Sequence, residues 1–242
     1  MQEINLGYEN IEDKRVVLLQ SGGLDSNVIA SIFKHYGFEM HHVFVNYGQN
    51  MLEKEREYSK KIADYYGGTY QEVTIELPWL TKSTSLVGNI VEADNNSDTP
   101  LGANECGVYV PMRNHLLLSI VGSYAESLNI TNIACAFDGS EDFYGKPLGG
   151  TTDKHPTFVN CVEVSLNEGS AIKHIEHNYL QILTPVMDLY KHEIIQLGHK
   201  FNADLSLSWS CYNKGEKPCL VCPACVTRAE GFKRAELKDP II

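Results

Sequence analysis

Within the 242-residue chain, Val16-Val17-Leu18-Leu19-Gln20 runs directly into Ser21-Gly22-Gly23-Leu24-Asp25-Ser26, and this junction constrains the fold more than any other stretch. An apolar run of that length without polar alternation predicts a strand buried on both faces, as in the middle of a parallel sheet. Val28, Ile29, Ile32 and Phe33 then recur at helical spacing, so the local order is strand, glycine loop, helix. A loop placed there aims several backbone N–H groups and the positive end of a helix dipole at one point, where an anion binds. Gly22 and Gly23 permit close backbone approach and positive φ, and Ser21 and Ser26 add hydroxyl donors. The plainer reading of the same residues is a tight turn with Asp25 or Ser26 capping the helix, and a short motif alone does not separate the two.

The rhythm continues along the chain. Strands are predicted over Met40–Val45 and Thr69–Ile75, near Ile133–Phe137 and near Leu180–Leu183. Helices are predicted over Asn50–Tyr66, from about Asn114 to Ser127, around Phe158–Glu168 and from about Leu189 to His199. Strands alternating with helices predict an α/β, Rossmann-like doubly wound parallel sheet with ligands at the C-terminal strand ends. Leu77–Cys106 and Asp138–His155 break the rhythm with Gly, Pro, Asn, Asp and Thr, and loops of that length belong to function more often than to scaffold.

Four of the seven cysteines, Cys211, Cys219, Cys222 and Cys225, read C-x7-C-x2-C-x2-C. That set closes a tetrahedral thiolate shell around zinc, at Zn–S distances of about 2.3 Å. The residues between them read as turn formers: Asn213, Lys214, Gly215 and Pro218, then Pro223 and Ala224 inside the last pair. An iron–sulfur cluster is the competing occupant. Disulfides are disfavoured, because the opening MQEINLGYENIEDKR holds no apolar signal segment. Cys106, Cys135 and Cys161 are scattered and are expected to be small buried apolar residues. The expected division is a catalytic domain over 1–205 and a zinc-binding segment over 206–242.

A formal net charge of −11 counts against general affinity for nucleic acid, which rests on Lys and Arg neutralising phosphates. The longest apolar stretches, such as Leu116–Leu118, are far short of the roughly 18–20 residues of a membrane-spanning helix. A soluble, cytoplasmic protein is expected.

The glycine loop lacks the Lys of a Walker-type phosphate loop. Its Ser-Gly-Gly-x-Asp-Ser order after the first strand resembles instead the pyrophosphate loop of the PP-loop ATPases, which adenylate a substrate and release pyrophosphate. A carboxylate such as Asp25 beside a polyphosphate calls for a divalent cation, so Mg²⁺ is expected with ATP. Further matches follow in order: Tyr47-Gly48-Gln49; Val110-Pro111-Met112-Arg113-Asn114; Thr184-Pro185 before Leu189-x-Lys191-x-Glu193-Ile194; and Trp209-Ser210-Cys211-Tyr212-Asn213. Together they resemble the QueC family, the 7-cyano-7-deazaguanine synthases of the queuosine pathway.

The resemblance implies a PP-loop fold with a C-terminal structural zinc. It implies conversion of 7-carboxy-7-deazaguanine, with ATP and ammonia, through an amide to the nitrile. It assigns Leu19, Ser21, Gly22, Gly23, Leu24, Asp25, Ser26, Tyr47, Gln49 and Arg113 to nucleotide or base binding, with Asp25, Arg113 and Lys191 closest to the chemistry. Arg113 would offer a bidentate fork to a phosphate or carboxylate, a surface ion pair being the alternative. Lys191 would neutralise phosphate charge, unless it is simply a solvated residue opening a helix. Trp209 would pack the metal knuckle onto the core. The partners implied are a small heterocyclic carboxylate and an amine, and a homodimer is compatible.

Departures from the family pattern stand at Met112, in place of Gly, and at Lys154-His155, in place of a Cys-Arg pair, after an inserted Gly149-Gly150-Thr151-Thr152. They leave a second reading open, a paralogue that passes the activated acid to another amine, such as one on a protein, and stops at the amide. A PP-loop tRNA-modifying enzyme and a nucleotide sensor without turnover are further alternatives. No general base is legible, and His155 reads as polar surface.

Overall fold

The computed structural model describes residues 6–82, 86–87, 110–138, 152–213 and 215–242. Five strands, β1 (Arg15–Leu19), β2 (Glu39–Asn46), β3 (Thr69–Thr74), β4 (Asn132–Ala134) and β5 (Gln181–Leu183), form one sheet in the order β3-β2-β1-β4-β5. Every pairing is parallel. The helices are α1 (Leu24–His35), α2 (Leu52–Tyr66), α3 (Arg113–Ser127), α4 (Pro156–Gly169), α5 (Ala171–Glu176), α6 (Lys191–Lys200) and α7 (Pro223–Arg234).

The central strand explains the layering. Val16, Val17 and Leu18 are completely buried. Because successive side chains point to opposite faces, Val16 and Leu18 pack with Val28, Ile29, Ile32 and Phe33 of α1 and Ile194 and Leu197 of α6. Val17 faces the other way, onto Val43 and Val45 of β2 and Val121 and Ala125 of α3. The expected doubly wound sheet is therefore present, and strand order reverses between β1 and β4, where a crevice opens at the carboxyl ends. Among the described residues no helix is long and apolar enough to cross a membrane.

Two expectations need correction. Pro223 and Ala224 are not turn residues but open α7, with Cys222 as N-cap and Pro223 at a position where its missing N–H costs nothing. Cys161 is exposed, because the inner face of α4 is built from Val159, Val162 and Asn167. Cys135 is buried as expected, and burial pushes its thiol up to about 12. Cys106 and the Gly149-Gly150-Thr151 insertion lie outside the described residues.

Candidate active site

A cavity of about 300 Å³ opens at the carboxyl ends of β1, β2 and β4. The glycine loop forms one wall. Gly22 takes φ +74°, and a Cβ there would stand 2.5 Å from Glu55 O and 2.9 Å from Ser59 N, so only glycine lets the loop lie on α2. Gly22 itself does not line the cavity; its carbonyl accepts the Trp209 N–H at 2.9 Å. Ser21, Gly23, Leu24, Asp25 and Ser26 do line it, as does Leu19 at the end of β1. Ser21 Oγ accepts the Gly23 N–H at 3.2 Å and donates to Ser26 Oγ at 3.2 Å, which gathers both hydroxyls at the start of α1. Behind them, Gln20 Nε2 donates to Ser26 Oγ at 2.9 Å, and Gln20 Oε1 lies 3.2 Å from Nδ1 of the buried His42.

Opposite the loop runs a chain of alternating charges. Lys191 Nζ donates to both Asp25 oxygens, at 2.8 and 2.6 Å, and to Asp138 Oδ2 at 2.8 Å. Lys154 Nζ donates to the other Asp138 oxygen at 2.7 Å. Burial by itself would push Asp138 up, but the two flanking ammonium groups, Lys154 and Lys191, hold it well below the usual carboxylate range. Asp25 has one lysine and a carboxylate neighbour; burial leads and its carboxyl is raised, with Lys191 opposing. Burial alone would lower Lys191, yet Asp138 and Asp25 outweigh it and keep the amine protonated. Lys191 opens α6, whose first turn is fixed by Glu193 Oε2 accepting the Tyr190 N–H at 2.8 Å. Gly231 of α7 lets that helix close on Lys191, whose Cγ would be 2.7 Å from an added Cβ.

The third wall carries Tyr47, Gln49, Glu55 and Arg113. Gln49 Oε1 accepts the Tyr47 N–H at 2.9 Å, and Gln49 Nε2 donates to Val45 O at 3.2 Å and to Glu55 Oε2 at 3.0 Å. Arg113 begins α3, beside the cavity, and among the described residues its guanidinium makes two long contacts, to Tyr47 OH and to Asn114 Oδ1, both at 3.4 Å. A half-buried fork held so loosely is available to an anion. Trp209 and Tyr212 complete the aromatic lining.

The Sγ atoms of Cys211, Cys219, Cys222 and Cys225 lie within 4.8 Å of one another, close to the roughly 3.8 Å edge of a tetrahedron with 2.3 Å arms. Backbone N–H groups of Asn213 and Cys219 point at Cys211 Sγ, each at 3.4 Å, and that of Cys222 points at Cys219 Sγ at 3.3 Å. Hydrogen bonds of this kind stabilise thiolates, so the set could hold a metal ion. Trp209 packs against this cluster with Tyr47 and Met51. Arg228 of α7 ties the knuckle down, donating to Asp239 at 2.7 and 3.0 Å and to Ser208 Oγ at 2.9 Å.

Every predicted nucleotide-site residue except Gly22 therefore lines one cavity, together with Lys191. His155 is exposed and does not line it, whereas its neighbour Lys154 does. Asp138 and Glu55 were not singled out by sequence, because neither sits in a motif of its own; a carboxylate just past the β4 strand end was the available signal for Asp138.

The family model of the queuosine biosynthesis protein QueC matches residues 15–236. The 7-cyano-7-deazaguanine synthase of Methanosarcina barkeri is 35% identical over 240 residues, covering 94% of this chain and 97% of that one. Those of Picrophilus torridus and Aliarcobacter butzleri are 36% and 33% identical, covering 94% and 96% of this chain and 90% and 96% of theirs. With a match spanning nearly its whole length and a parallel sheet that brings the matched motifs to one crevice, the chain belongs to the QueC family.

Proposed function

We propose that the protein is an ATP-dependent carbon–nitrogen ligase that adenylates the carboxylate of 7-carboxy-7-deazaguanine and converts it with ammonia, through the amide, to 7-cyano-7-deazaguanine. The reading is carried by one observation: a glycine loop with two hydroxyls at a helix start faces Lys191 and Arg113 across a single cavity. In this reading the loop N–H groups, Ser21 and Ser26 hold the phosphates of ATP. Asp25 and Asp138 would hold magnesium. Three of their oxygens already lie 2.6–2.8 Å from one ammonium, the cluster of hard oxygen donors that ion takes, and its chemistry is to neutralise the departing pyrophosphate. Lys191 supplies further positive charge where the pyrophosphate leaves, and Arg113 orients the carboxylate.

The bonds follow from these roles. A carboxylate oxygen attacks the α-phosphorus, the bond to the bridging oxygen breaks, and pyrophosphate departs. Ammonia attacks the acyl carbon, AMP leaves with the oxygen, and loss of a proton gives the amide. A second ATP adenylates the amide oxygen with departure of a second pyrophosphate, and loss of AMP and of the two N–H protons gives the nitrile. Zinc on the four thiolates would close a structural shell apart from these steps.

Incubation with ATP, Mg²⁺ and 7-carboxy-7-deazaguanine, with and without ammonium, tests this by mass. Pyrophosphate release that depends on the acid, with nitrile appearing with ammonium, is the expected result. Absence of acid-dependent pyrophosphate release counts against it. Lys154 favours one second reading, since this departure from the family pattern stands inside the cavity on Asp138. A product that stops at the amide, or an adduct with a larger amine, would support that reading.

A further inference from the structure

Glu55 is a carboxylate that the cavity wall has left half engaged. Gln49 Nε2 on Oε2, at 3.0 Å, is its hydrogen bond among the described residues, and Glu55 lines the cavity with its second carboxylate oxygen in none. It cannot simply swing away. The Gln49 amide that holds it is itself fixed at both ends, by the Tyr47 N–H at 2.9 Å and the Val45 carbonyl at 3.2 Å. Tyr47, Trp209 and Tyr212 line the same cavity as flat, largely apolar walls. A fixed carboxylate edge between aromatic rings accepts hydrogen bonds from the rim of a planar heterocycle stacked there.

The rim can be specified further. The amino edge of adenine sets one donor beside a ring acceptor, and a carboxylate facing it gains one bond and meets one lone pair. A 2-aminopyrimidin-4-one edge presents two adjacent donors, the ring N–H and the exocyclic amine, which one carboxylate accepts together. We propose that Glu55 is the specificity-determining residue for the heterocyclic acid, reading its ring N–H and 2-amino group, so that the aromatic end of the cavity seats the acid and not the adenine of ATP. The proposal takes the identity of that acid from the function proposed above. It also gives Gln49 a positioning role, through Glu55.

Equilibrium binding separates the two ideas, because it needs no turnover. Calorimetry is run with 7-carboxy-7-deazaguanine and with its analogue lacking the 2-amino group, on the full chain and on Glu55→Gln. The wild type should prefer the amino compound by about 100-fold, the worth of hydrogen bonds to a charged acceptor, and Glu55→Gln should cut that preference below about tenfold. Affinity for the ATP analogue with a non-cleavable α,β-bridge should be unchanged in the variant. Equal binding of both heterocycles by the wild type, binding of neither, or a variant that keeps the full preference would overturn the proposal. So would a variant that loses the nucleotide analogue in the same proportion. Selective binding by the wild type without pyrophosphate release would instead leave Glu55 in its role and remove the ligase reading.

Discussion

Met112, immediately before α3, sits at φ 55° and ψ 18° and is 63% exposed. An L-residue in that left-handed region costs roughly 1–2 kcal/mol, and an exposed side chain returns little packing in exchange. Met112→Gly should therefore raise stability by about 0.5–1 kcal/mol once the greater freedom of glycine in the unfolded chain is subtracted, read as a higher urea midpoint at unchanged slope. A lower midpoint would mean that the thioether makes contacts worth more than the strain. His42 is a second residue whose environment has a measurable consequence. Burial, opposed by the Gly67 carbonyl and aided by His41, holds it down to about 4 from an ordinary 6.5. Because the folded value is the lower one, its contribution is complete above pH 6.5 and is lost as pH falls toward 4, where the unfolded chain binds a proton that the folded chain refuses. The loss amounts to about 3 kcal/mol across that window, and His42→Gln should remove it. The check is the difference between wild-type and variant urea midpoints at several pH values, which should change across the window and be flat above it.

At the scale of elements, the contact of α6 with α7 decides where Lys191 stands. A Cβ on Gly231 would lie 2.7 Å from Lys191 Cγ and 3.0 Å from Ile195 Cδ1. The lysine tail is pinned between Asp25 and Asp138, so the stem cannot move away without disturbing those ion pairs. Gly231→Ala should cost about 1–3 kcal/mol of stability and lower pyrophosphate release roughly 10–100-fold, an effect of misplacement. Unchanged turnover with reduced stability would place the strain in Ile195 alone. This contact was not legible beforehand, for α7 is capped by one cysteine and carries another, with a proline and a glycine, and their spacing reads as metal ligands and turns. The strands and helices flanking the glycine loop were legible, because three consecutive fully buried residues and a clean helical stripe leave one period each.

For the molecule as a whole, the cysteine knuckle and the glycine loop are one mechanical unit, joined by the Trp209 N–H on Gly22 O at 2.9 Å and by Trp209 packing on Cys211. Cys222→Ser should lower zinc content and thermal midpoint together, and it should weaken ATP binding through the loop. Iron in elemental analysis, or a well-folded protein without metal, would sink the zinc assignment. Motifs held within a few residues, such as Ser21–Ser26 and Val110–Asn114, could be read along the chain, whereas the cavity centre could not. Its ion pairs join Asp25 to Lys191 across 166 positions and Asp138 to Lys191 across 53, distances that only the crossovers of the sheet close. That separation has a consequence for synthesis. At about 5–20 residues per second, a ribosome needs roughly 8–33 s to travel from Asp25 to Lys191, so the nascent loop emerges with its carboxylate unpartnered until α6 has followed it out.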